Sequence, residues 1–318
     1  MAQFDVTLAG EITMDLLLYG LPEDLPVERE LIADRMALTL GGSSAITAHN
    51  LAVLGSRIGF VPQLGRDSFT DVCVAALIRV DVDLSRAVAA KGSVGTGLSV
   101  LLQHEHSRRA LTYAGTISAL HYEDLDLDYL ASGRHFHLSS FFLQRGLRDD
   151  VPKLLAAMKA AGLTTSLDTN DDPEDLWAGP IAEALPYLDI LMPNEREACR
   201  LAGVPLFEDA VDRLAAQVPL LVVKRGAQGA LAVKDGVRYE AHGYPVKVVD
   251  VIGAGDSFNA GFLHAFVQGA ELEECLALGN ACGAFSTTGC GGVEAFADRQ
   301  RMQRFFEECG VEHRIGVL

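Results

Sequence analysis

Short apolar segments alternate with helical segments along most of this chain, and that alternation constrains the fold more than any other feature of the sequence. Residues 4–10 form an apolar run that ends in glycine, as a buried strand does, and residues 43–54 show helical apolar spacing. The same patterns recur as helices predicted over 149–162 and 194–203 and strands predicted over 163–168, 188–192 and 219–226. Helices that connect parallel strands cover both faces of their sheet. We therefore predict a three-layer α/β/α sandwich around a mostly parallel central sheet.

Two segments, 15–40 and 95–115, interrupt this alternation with patterns typical of antiparallel strands. In the second segment, apolar stretches flank a polar turn at 104–107. We predict that the two segments pair in space as a small β lid over a cleft, with two separate surface hairpins as the alternative. The remainder of this single 318-residue unit then forms the large α/β domain, which comprises residues 1–14, 41–94 and 116–318.

Charge and cysteine usage exclude several classes of partner. The chain carries 43 Asp and Glu against 26 Lys and Arg, a net charge of -17 at pH 7, so its average field repels nucleic acid and anionic membranes. Its six cysteines form no CxxC pair or histidine-spaced cluster, which argues against a zinc site and a disulfide framework. The sequence shows neither an apolar run of the roughly 20 residues that span a membrane nor a signal-peptide pattern at its start. We expect a cytoplasmic protein with no nucleic-acid or membrane partner.

A glycine-rich turn that enters a helix carries the sharpest chemical signal. Gly253, Ala254 and Gly255 are followed by Asp256 and by a segment with helical apolar spacing. Because the glycines lack side chains, backbone N–H groups at the positive end of the helix can hold the charge of a phosphoryl group during transfer. Asp256 lies in the first helical turn, where it could take the proton of an attacking hydroxyl. The turn therefore predicts an anion hole with an adjacent general base.

From the residues alone, two other interpretations of this turn stay open. An aspartate in a first helical turn is a common helix cap. A dinucleotide-binding GxGxxG motif fits less well, because its third glycine would fall at Phe258 and the motif lies far from the first strand.

The segment 248–262, VVDVIGAGDSFNAGF, resembles the C-terminal signature of the PfkB, or ribokinase-like, family of sugar and nucleoside kinases. Residues 41–55 resemble a second family signature, and 65–67, 194–197 and 224–229 fall where the family has counterparts. The resemblance implies a ribokinase-like fold and an ATP-dependent kinase that phosphorylates a hydroxyl of a small sugar or sugar acid. A nucleoside kinase on the same fold is the alternative. A non-catalytic sugar or nucleotide sensor is more remote, because the base and the glycine turn are both intact.

On the nucleotide side, the resemblance implies specific roles. Asp256 is the implied base, and the backbone of 253–255 is the implied anion hole. Glu197 is implied to organise Mg²⁺, through water, and Asp168 and Asn170, which follow a predicted strand, could face the phosphates. The positions implied to contact ATP are Asn194, Lys224, Gly226, Gly229 and Asn280. Many family members also bind a monovalent cation, which implies a possible K⁺ site at Asp250, the carbonyl of Ile252 and the loop around Gly291.

On the acceptor side, Asp15 matches a family aspartate that bonds sugar hydroxyls. The other positions that the resemblance implies around the acceptor are Gly41, Gly42, Ser43, Ile46 and Ser139. Ile46 replaces a usual asparagine and Ser139 stands where ribokinases have a glutamate, which puts ribose in doubt as the acceptor. Arg108 and Arg109 could meet the carboxylate of a sugar acid, or could be solvated strand residues. Family members often pair through their lids, so a homodimer is possible.

Overall fold

The computed structural model describes residues 2–104 and 108–311, and two sheets organise them. The strands are β1 Val6–Gly10, β2 Thr13–Tyr19, β3 Arg35–Gly41, β4 Ile58–Leu64, β5 Val88–Ala89, β6 Gly97–Gln103, β7 Arg108–Tyr113, β8 His135–Leu138, β9 Thr164–Leu167, β10 Ile190–Leu191, β11 Leu220–Lys224, β12 Ala230–Lys234 and β13 Val237–Ala241. The helices are α1 Ser43–Val53, α2 Ser68–Arg79, α3 Leu127–Leu130, α4 Val151–Ala160, α5 Ile181–Ala184, α6 Glu195–Ala202, α7 Phe207–Ala215, α8 Ala254–Val267, α9 Leu272–Ser286 and α10 Arg299–Cys309. None of these described helices has the length and apolar character that crossing a membrane requires.

The large sheet has nine strands in the order β13-β12-β11-β10-β9-β8-β1-β4-β5. The strands from β11 to β5 in that order are all parallel to their neighbours, whereas β12 and β13 join at one edge by antiparallel pairing. Buried β1 and β8 have no exposed face, as expected for parallel strands that helices cover on both sides. The predicted α/β sandwich with a mostly parallel sheet is confirmed.

Two apolar cores lie on opposite faces of the large sheet. The alternation within β11 shows this division, because Leu220 and Val222 belong to one core while Leu221 and Val223 belong to the other. Helices α1, α8 and α9 contribute to the first core, and α4, α6 and α7 contribute to the second. Each fully buried aliphatic side chain contributes about 1.5 to 3 kcal/mol. The cores therefore fix the positions of the strand ends and helix starts at the carboxyl edge of the large sheet.

The second sheet has four strands in the order β3-β2-β6-β7. Strands β2 and β3 pair antiparallel, as do β6 and β7, and a parallel pairing of β2 with β6 joins the two halves. Leu17 and Leu101 of this sheet pack against Ile252 of the large domain. The small lid sheet that the sequence predicts is confirmed, although residues 105–107 of its predicted turn lie outside the described residues. The exact limits of lid and large domain stay a prediction.

Candidate active site

Polar side chains gather at the carboxyl ends of the parallel strands. Glu11 follows β1, Asp168 follows β9 and Lys224 ends β11. Strand ends and the starts of the following helices meet at one edge of a parallel sheet, which is where α/β proteins bind ligands. Helix α8 also begins there, since Nζ of Lys224 is 3.5 Å from the position that a Cβ on Gly255 would occupy. This edge is the candidate active site.

The turn before α8 has a backbone shape that requires glycine. Gly253 caps the helix with φ +70°, and a Cβ on it would lie 2.4 Å from the Cα of Gly292. The first N–H groups of this 14-residue helix lie at its positive end and lack intrahelical partners. Lys224 adds a full positive charge beside Gly255. The arrangement can hold an anionic group such as a phosphoryl.

Asp256 is buried in the first turn of α8, with 6% of its surface exposed. Burial, followed by the charge of Asp168, raises the pKa of Asp256 to about 7. Lys224 and a hydrogen bond from Ser43 lower this pKa, but their combined effect is smaller. A carboxyl group with a pKa near neutrality can take a proton from a hydroxyl at physiological pH. Its chemistry therefore suits the predicted role of general base.

Lys224 and Asp168 form a buried ion pair beside Asp256. Nζ of Lys224 donates to Oδ2 of Asp168, and so does Nδ2 of Asn259, which lies one turn after Asp256 on α8. Burial by itself would lower the pKa of Lys224, but the charges of Asp168 and Glu197 raise it. The amine therefore stays protonated and presents a fixed positive charge at the start of α8.

Asn194 and Glu197 hold each other at the start of α6. The side chain of Asn194 accepts from the N–H of Glu197 at 2.9 Å, and the Glu197 carboxylate accepts from the N–H of Asn194 at 2.9 Å. Burial, followed by the charge of Asp168, raises the pKa of Glu197 to about 7. A divalent cation would offset the repulsion between the carboxylates of Glu197 and Asp168.

The donors at this edge fit Mg²⁺ better than a metal that needs a complete protein cage. Mg²⁺ prefers carboxylate oxygens, keeps several waters and needs only one or two protein ligands. Among residues 2–104 and 108–311, no cluster of three or more His, Cys, Asp or Glu side chains is arranged to hold a metal ion. A water-mediated contact from Glu197, as the resemblance implies, is compatible with this donor set.

A cleft of about 340 Å³ lies beside the segment predicted to contact the nucleotide, with walls from 225–230 and 240–243. Gly226 has φ +55° and begins the turn of one wall. Gly229 has φ +99°, and a Cβ on it would lie 2.0 Å from the carbonyl oxygen of Ala241. Nδ2 of Asn280 donates to the carbonyls of residues 241 and 242 at 2.9 and 3.2 Å. Asn280 therefore supports the second wall from behind.

Asp250, Ile252 and Gly291, the three positions of the predicted cation site, lie close together. The Asp250 carboxylate accepts from the N–H of Ile252 at 3.0 Å and from the N–H of Gly291 at 3.2 Å. It also accepts from the hydroxyl of Tyr19 at 3.1 Å. One carboxylate thus connects the two loops around the glycine turn with the small sheet.

Asp15 approaches the same site from the small sheet. A Cβ on Gly41 would lie 2.0 Å from Oδ1 of Asp15, so the glycine leaves room for this carboxyl group. Burial raises the pKa of Asp15 to about 7, and the charge of Asp256 adds to that effect. The predicted acceptor-binding carboxyl and the predicted base are therefore close enough to interact electrostatically.

Gly42 and Ser43 begin α1 at this edge. Gly42 caps the helix with φ +90°, and a Cβ on it would lie 3.1 Å from the carbonyl oxygen of Glu11. Oγ of Ser43 accepts from Nδ2 of Asn170 at 2.8 Å, and Ser43 also hydrogen-bonds to Asp256. Ser43 thus connects the start of α1 with the candidate base.

The side chains of Ile46 and Ser139 are both buried. Ile46 is 2% exposed, and its Cδ1 lies 3.2 Å from the Cβ position of Gly253 and 2.6 Å from that of Gly292. Oγ of Ser139 is buried and bonds to Nε2 of His137 at 2.9 Å. Ile46 therefore supports the glycine turn, and Ser139 belongs to a polar contact beneath the site.

Three residues at this edge, Glu11, Tyr19 and Asn259, are not predicted from the sequence patterns. Glu11 directly follows the first strand and accepts hydrogen bonds at the start of α1. Asn259 lies three residues after Asp256, on the same helix face. The sequence positions of Glu11 and Asn259, next to a predicted strand end and to the candidate base, could have identified both as site residues. Tyr19 had no such signal, because its partner Asp250 is 231 positions away in the chain.

Known proteins similar to this chain give one consistent family. The family model described as "pfkB family carbohydrate kinase" matches residues 3–297. A fructokinase of Klebsiella pneumoniae is 32% identical over 282 residues, which cover 83% of this chain and 91% of the relative. A 2-dehydro-3-deoxygluconokinase of Bacillus subtilis (strain 168) is 25% identical over 291 residues, which cover 86% of this chain and 89% of the relative.

A solved structure of a similar protein contains a nucleotide and a metal. It is a putative ribokinase II from E. coli in complex with ATP and Mg²⁺, with a TM-score of 0.80 and 26% identity to this chain. The match covers 96% of this chain and 99% of that chain. The fold and the relatives thus agree with the resemblance that the two sequence signatures carry.

Proposed function

The chain belongs to the pfkB family of carbohydrate kinases and is an ATP-dependent kinase, and from that premise we propose how its residues phosphorylate a small sugar or sugar acid. The proposal assigns the general base to Asp256 and the anion hole to the turn 253–255. The observation that carries it is the joint placement of a buried carboxyl group with a pKa of about 7 and a positively charged helix start. A base and an anion hole at one point are what phosphoryl transfer to an alcohol requires.

The proposed reaction joins the acceptor oxygen to the γ-phosphorus of ATP. Asp15 orients the acceptor, and the Asp256 carboxylate takes the hydroxyl proton as that oxygen attacks. The bond between the γ-phosphorus and the bridging oxygen of ADP breaks, so the products are ADP and a phosphorylated sugar. Lys224 and the N–H groups of 253–255 stabilise the charge on the transferring group. The small sheet excludes water, which would otherwise compete as acceptor.

For the nucleotide, we propose the cleft between 225–230 and 240–243. Its wall begins at Arg225, the residue after Lys224, whose Nζ lies beside Gly255 at the start of α8. When bound, Mg²⁺ neutralises negative charge on the phosphate oxygens. Glu197 is the residue proposed to hold it, through water, with Asn194 keeping the Glu197 carboxylate in place.

The acceptor is proposed to be a compound with several hydroxyls. Thr39, Asp15, Ser99 and Thr112 stand in one register across the four strands of the small sheet and share a face. Such a row of hydroxyls and a carboxylate can pair with successive hydroxyls of a sugar. Arg109 lies on the other face, where it donates to the carbonyl of Glu23 at 3.1 Å. This placement gives no support to a role for Arg109 in binding a substrate carboxylate.

A coupled assay of ADP release tests the class of acceptor. The panel contains pentoses, hexoses, 2-keto-3-deoxy sugar acids and nucleosides, with mass spectrometry of the products. We expect release that depends on a sugar or sugar acid and that Asp256→Asn reduces by about 10²- to 10⁴-fold. Release with nucleosides alone would favour the nucleoside kinase alternative. The absence of acceptor-dependent ADP across the panel would contradict the proposal.

We also propose a monovalent cation, such as K⁺, at Asp250, the carbonyl of Ile252 and the loop around Gly291. The support is that the Asp250 carboxylate accepts hydrogen bonds from the N–H groups of Ile252 and Gly291, which brings the three residues together beside the glycine turn. A cation there would stiffen the backbone proposed as the anion hole. Rates measured in potassium, sodium and choline chloride test this site. Equal rates in the three salts would remove it.

The lid division at 15–40 and 95–115 and a homodimer through the lid belong to the same proposal. The outer face of the small sheet exposes Met36, Leu38 and Leu111 at 62%, 44% and 61%, and a second copy of this chain would cover this apolar face. Sedimentation of the wild type and of Leu111→Glu tests it, since the variant should shift toward monomer. A cytoplasmic location is proposed because none of the six cysteines, all of which lie within the described residues, is joined in a disulfide, which suits a reducing compartment.

A further inference from the structure

The small sheet contacts the loops around the glycine turn through hydrogen bonds and apolar packing, in addition to forming the acceptor side of the cleft. Along β2, Asp15, Leu17 and Tyr19 share one face, because alternate residues of a strand point the same way. Asp15 of this face approaches Asp256, while Leu17 packs on Ile252, the residue before the turn. The next residue of the face, Tyr19, reaches the carboxylate of Asp250.

The hydrogen bond of Tyr19 ends on a carboxylate that already organises the turn. Oδ1 of Asp250 accepts from the N–H of Ile252, and Oδ2 accepts from the N–H of Gly291. The hydroxyl of Tyr19 donates to the same Oδ2 at 3.1 Å. Three hydrogen bonds to one carboxylate therefore connect the small sheet with Ile252, the residue before Gly253, and with the separate loop at Gly291.

Neighbouring contacts hold Tyr19 in this position. The guanidinium of Arg35, on the adjacent strand β3, lies 3.8 Å from the centre of the Tyr19 ring and donates to Sγ of Cys290 at 3.0 Å. Thr39 of the same strand donates to Glu294 at 3.2 Å.

Resting on the proposed function, we propose that Tyr19 is a positioning residue for phosphoryl transfer. Its hydroxyl connects the sheet that orients the acceptor to the turn that stabilises the transferred group. This connection fixes the position of the attacking oxygen relative to the anion hole. Tyr19 touches neither substrate in this scheme and acts through Asp250. Small displacements between reacting groups reduce rates strongly, which is why such a bond affects turnover more than binding.

The variant Tyr19→Phe removes the hydroxyl and keeps the ring under Arg35. We expect kcat to fall by about 10- to 100-fold, the scale for losing one hydrogen bond to a charged group. The KM values for ATP and for the acceptor should change by less than about threefold, because the groups that bind them remain. Tyr187→Phe, the same change at a partly exposed tyrosine outside both sheets, should leave kcat unchanged.

A double-mutant cycle with Asp250→Asn separates positioning from a general loss of structure. If the hydroxyl acts through Asp250, Tyr19→Phe should lower kcat by less than about twofold in the Asp250→Asn background, where the charged acceptor is gone. A wild-type kcat for Tyr19→Phe would overturn the inference. An equal fold-loss in both backgrounds, or a rise in KM with unchanged kcat, would do the same.

Asp256→Asn is measured in the same experiment, so that a failure of the proposed function can be distinguished from a failure of the positioning role of Tyr19. Normal turnover of Asp256→Asn would contradict the proposed function. Normal turnover of Tyr19→Phe together with an inactive Asp256→Asn would contradict only the positioning role of Tyr19.

Discussion

Replacing Asp256 with asparagine should reduce catalysis and increase stability at the same time, because one buried carboxyl group serves the first and opposes the second. The amide keeps the shape of the side chain but cannot take a proton. We expect kcat to fall by about 10²- to 10⁴-fold, the usual contribution of a positioned general base. The KM for ATP should change little, because the N–H groups of 253–255 and Lys224 remain in place.

The gain in stability follows from the raised pKa of Asp256. Burial is its main cause, and the rise from an ordinary value of 3.8 to about 7 corresponds to about 4 kcal/mol. Between these two pH values the folded protein holds a proton that the unfolded chain has released, so the free energy of unfolding falls as the pH rises through this window. Asparagine has no such ionisation. The variant should therefore exceed the wild type by about 4 kcal/mol at pH 8 and by about 2 kcal/mol at pH 5.5.

Urea unfolding at pH 5.5 and pH 8 measures both values, with the fluorescence of the single tryptophan, Trp177, as the signal. Trp177 is buried, so unfolding changes its surroundings. Asp209→Asn is the matched control, since Asp209 also lies in a first helical turn, that of α7, but is exposed. It should change stability by less than about 1 kcal/mol at either pH.

Two results would refute this reasoning. A stability gain that is absent at pH 8, or that does not shrink at pH 5.5, would mean that burial of the Asp256 charge does not raise its pKa. Turnover of Asp256→Asn within about tenfold of the wild type would mean that another group takes the proton.

Two further substitutions and one pH profile of the wild type also test the site. Glu197→Gln keeps an acceptor for the N–H of Asn194 but loses the charge, so the Mg²⁺ concentration for half-maximal activity should rise by about 10-fold; an unchanged Mg²⁺ titration would remove Glu197 from the metal site. Asp15→Asn should raise the KM of the acceptor by about 10-fold or more and leave the KM of ATP unchanged, whereas equal effects on both would contradict an acceptor role. In the wild type, the base must be unprotonated and burial raises the pKa of Asp256 to about 7, so kcat/KM should increase with pH and level off above about pH 7; a profile flat down to pH 5 would contradict that pKa.

Local patterns were sufficient to predict most of the fold. The apolar run before Gly10 and the helical spacing after Gly42 depend on near neighbours, so β1 and α1 were readable from short segments. The glycine turn and Asp256 are contiguous, and their joint appearance at the start of α8 was predicted for the same reason. The two lid segments, 15–40 and 95–115, were predicted to pair because both interrupt the alternation of strands and helices and both lie beside segments assigned to the acceptor.

Contacts between distant segments were beyond such patterns. Lys224 pairs with Asp168 across 56 positions, and this pair sets the charge beside Asp256. Ile46 packs against the turn at Gly253, a residue far from it in the chain, and no local pattern predicts that contact. Residue identity alone does not tell which of several faces a buried side chain contacts.

By itself, the sequence determined the alternation of strands and helices, the candidate phosphate-binding turn, the candidate base and the kinase family, since each depends on neighbouring residues. Only the tertiary structure decided that three carboxyl groups, those of Asp15, Asp256 and Glu197, have pKa values near 7, and that Tyr19 reaches Asp250. The physical reason is that burial and electrostatic coupling depend on which surfaces meet after folding, and those surfaces come from segments far apart in the chain.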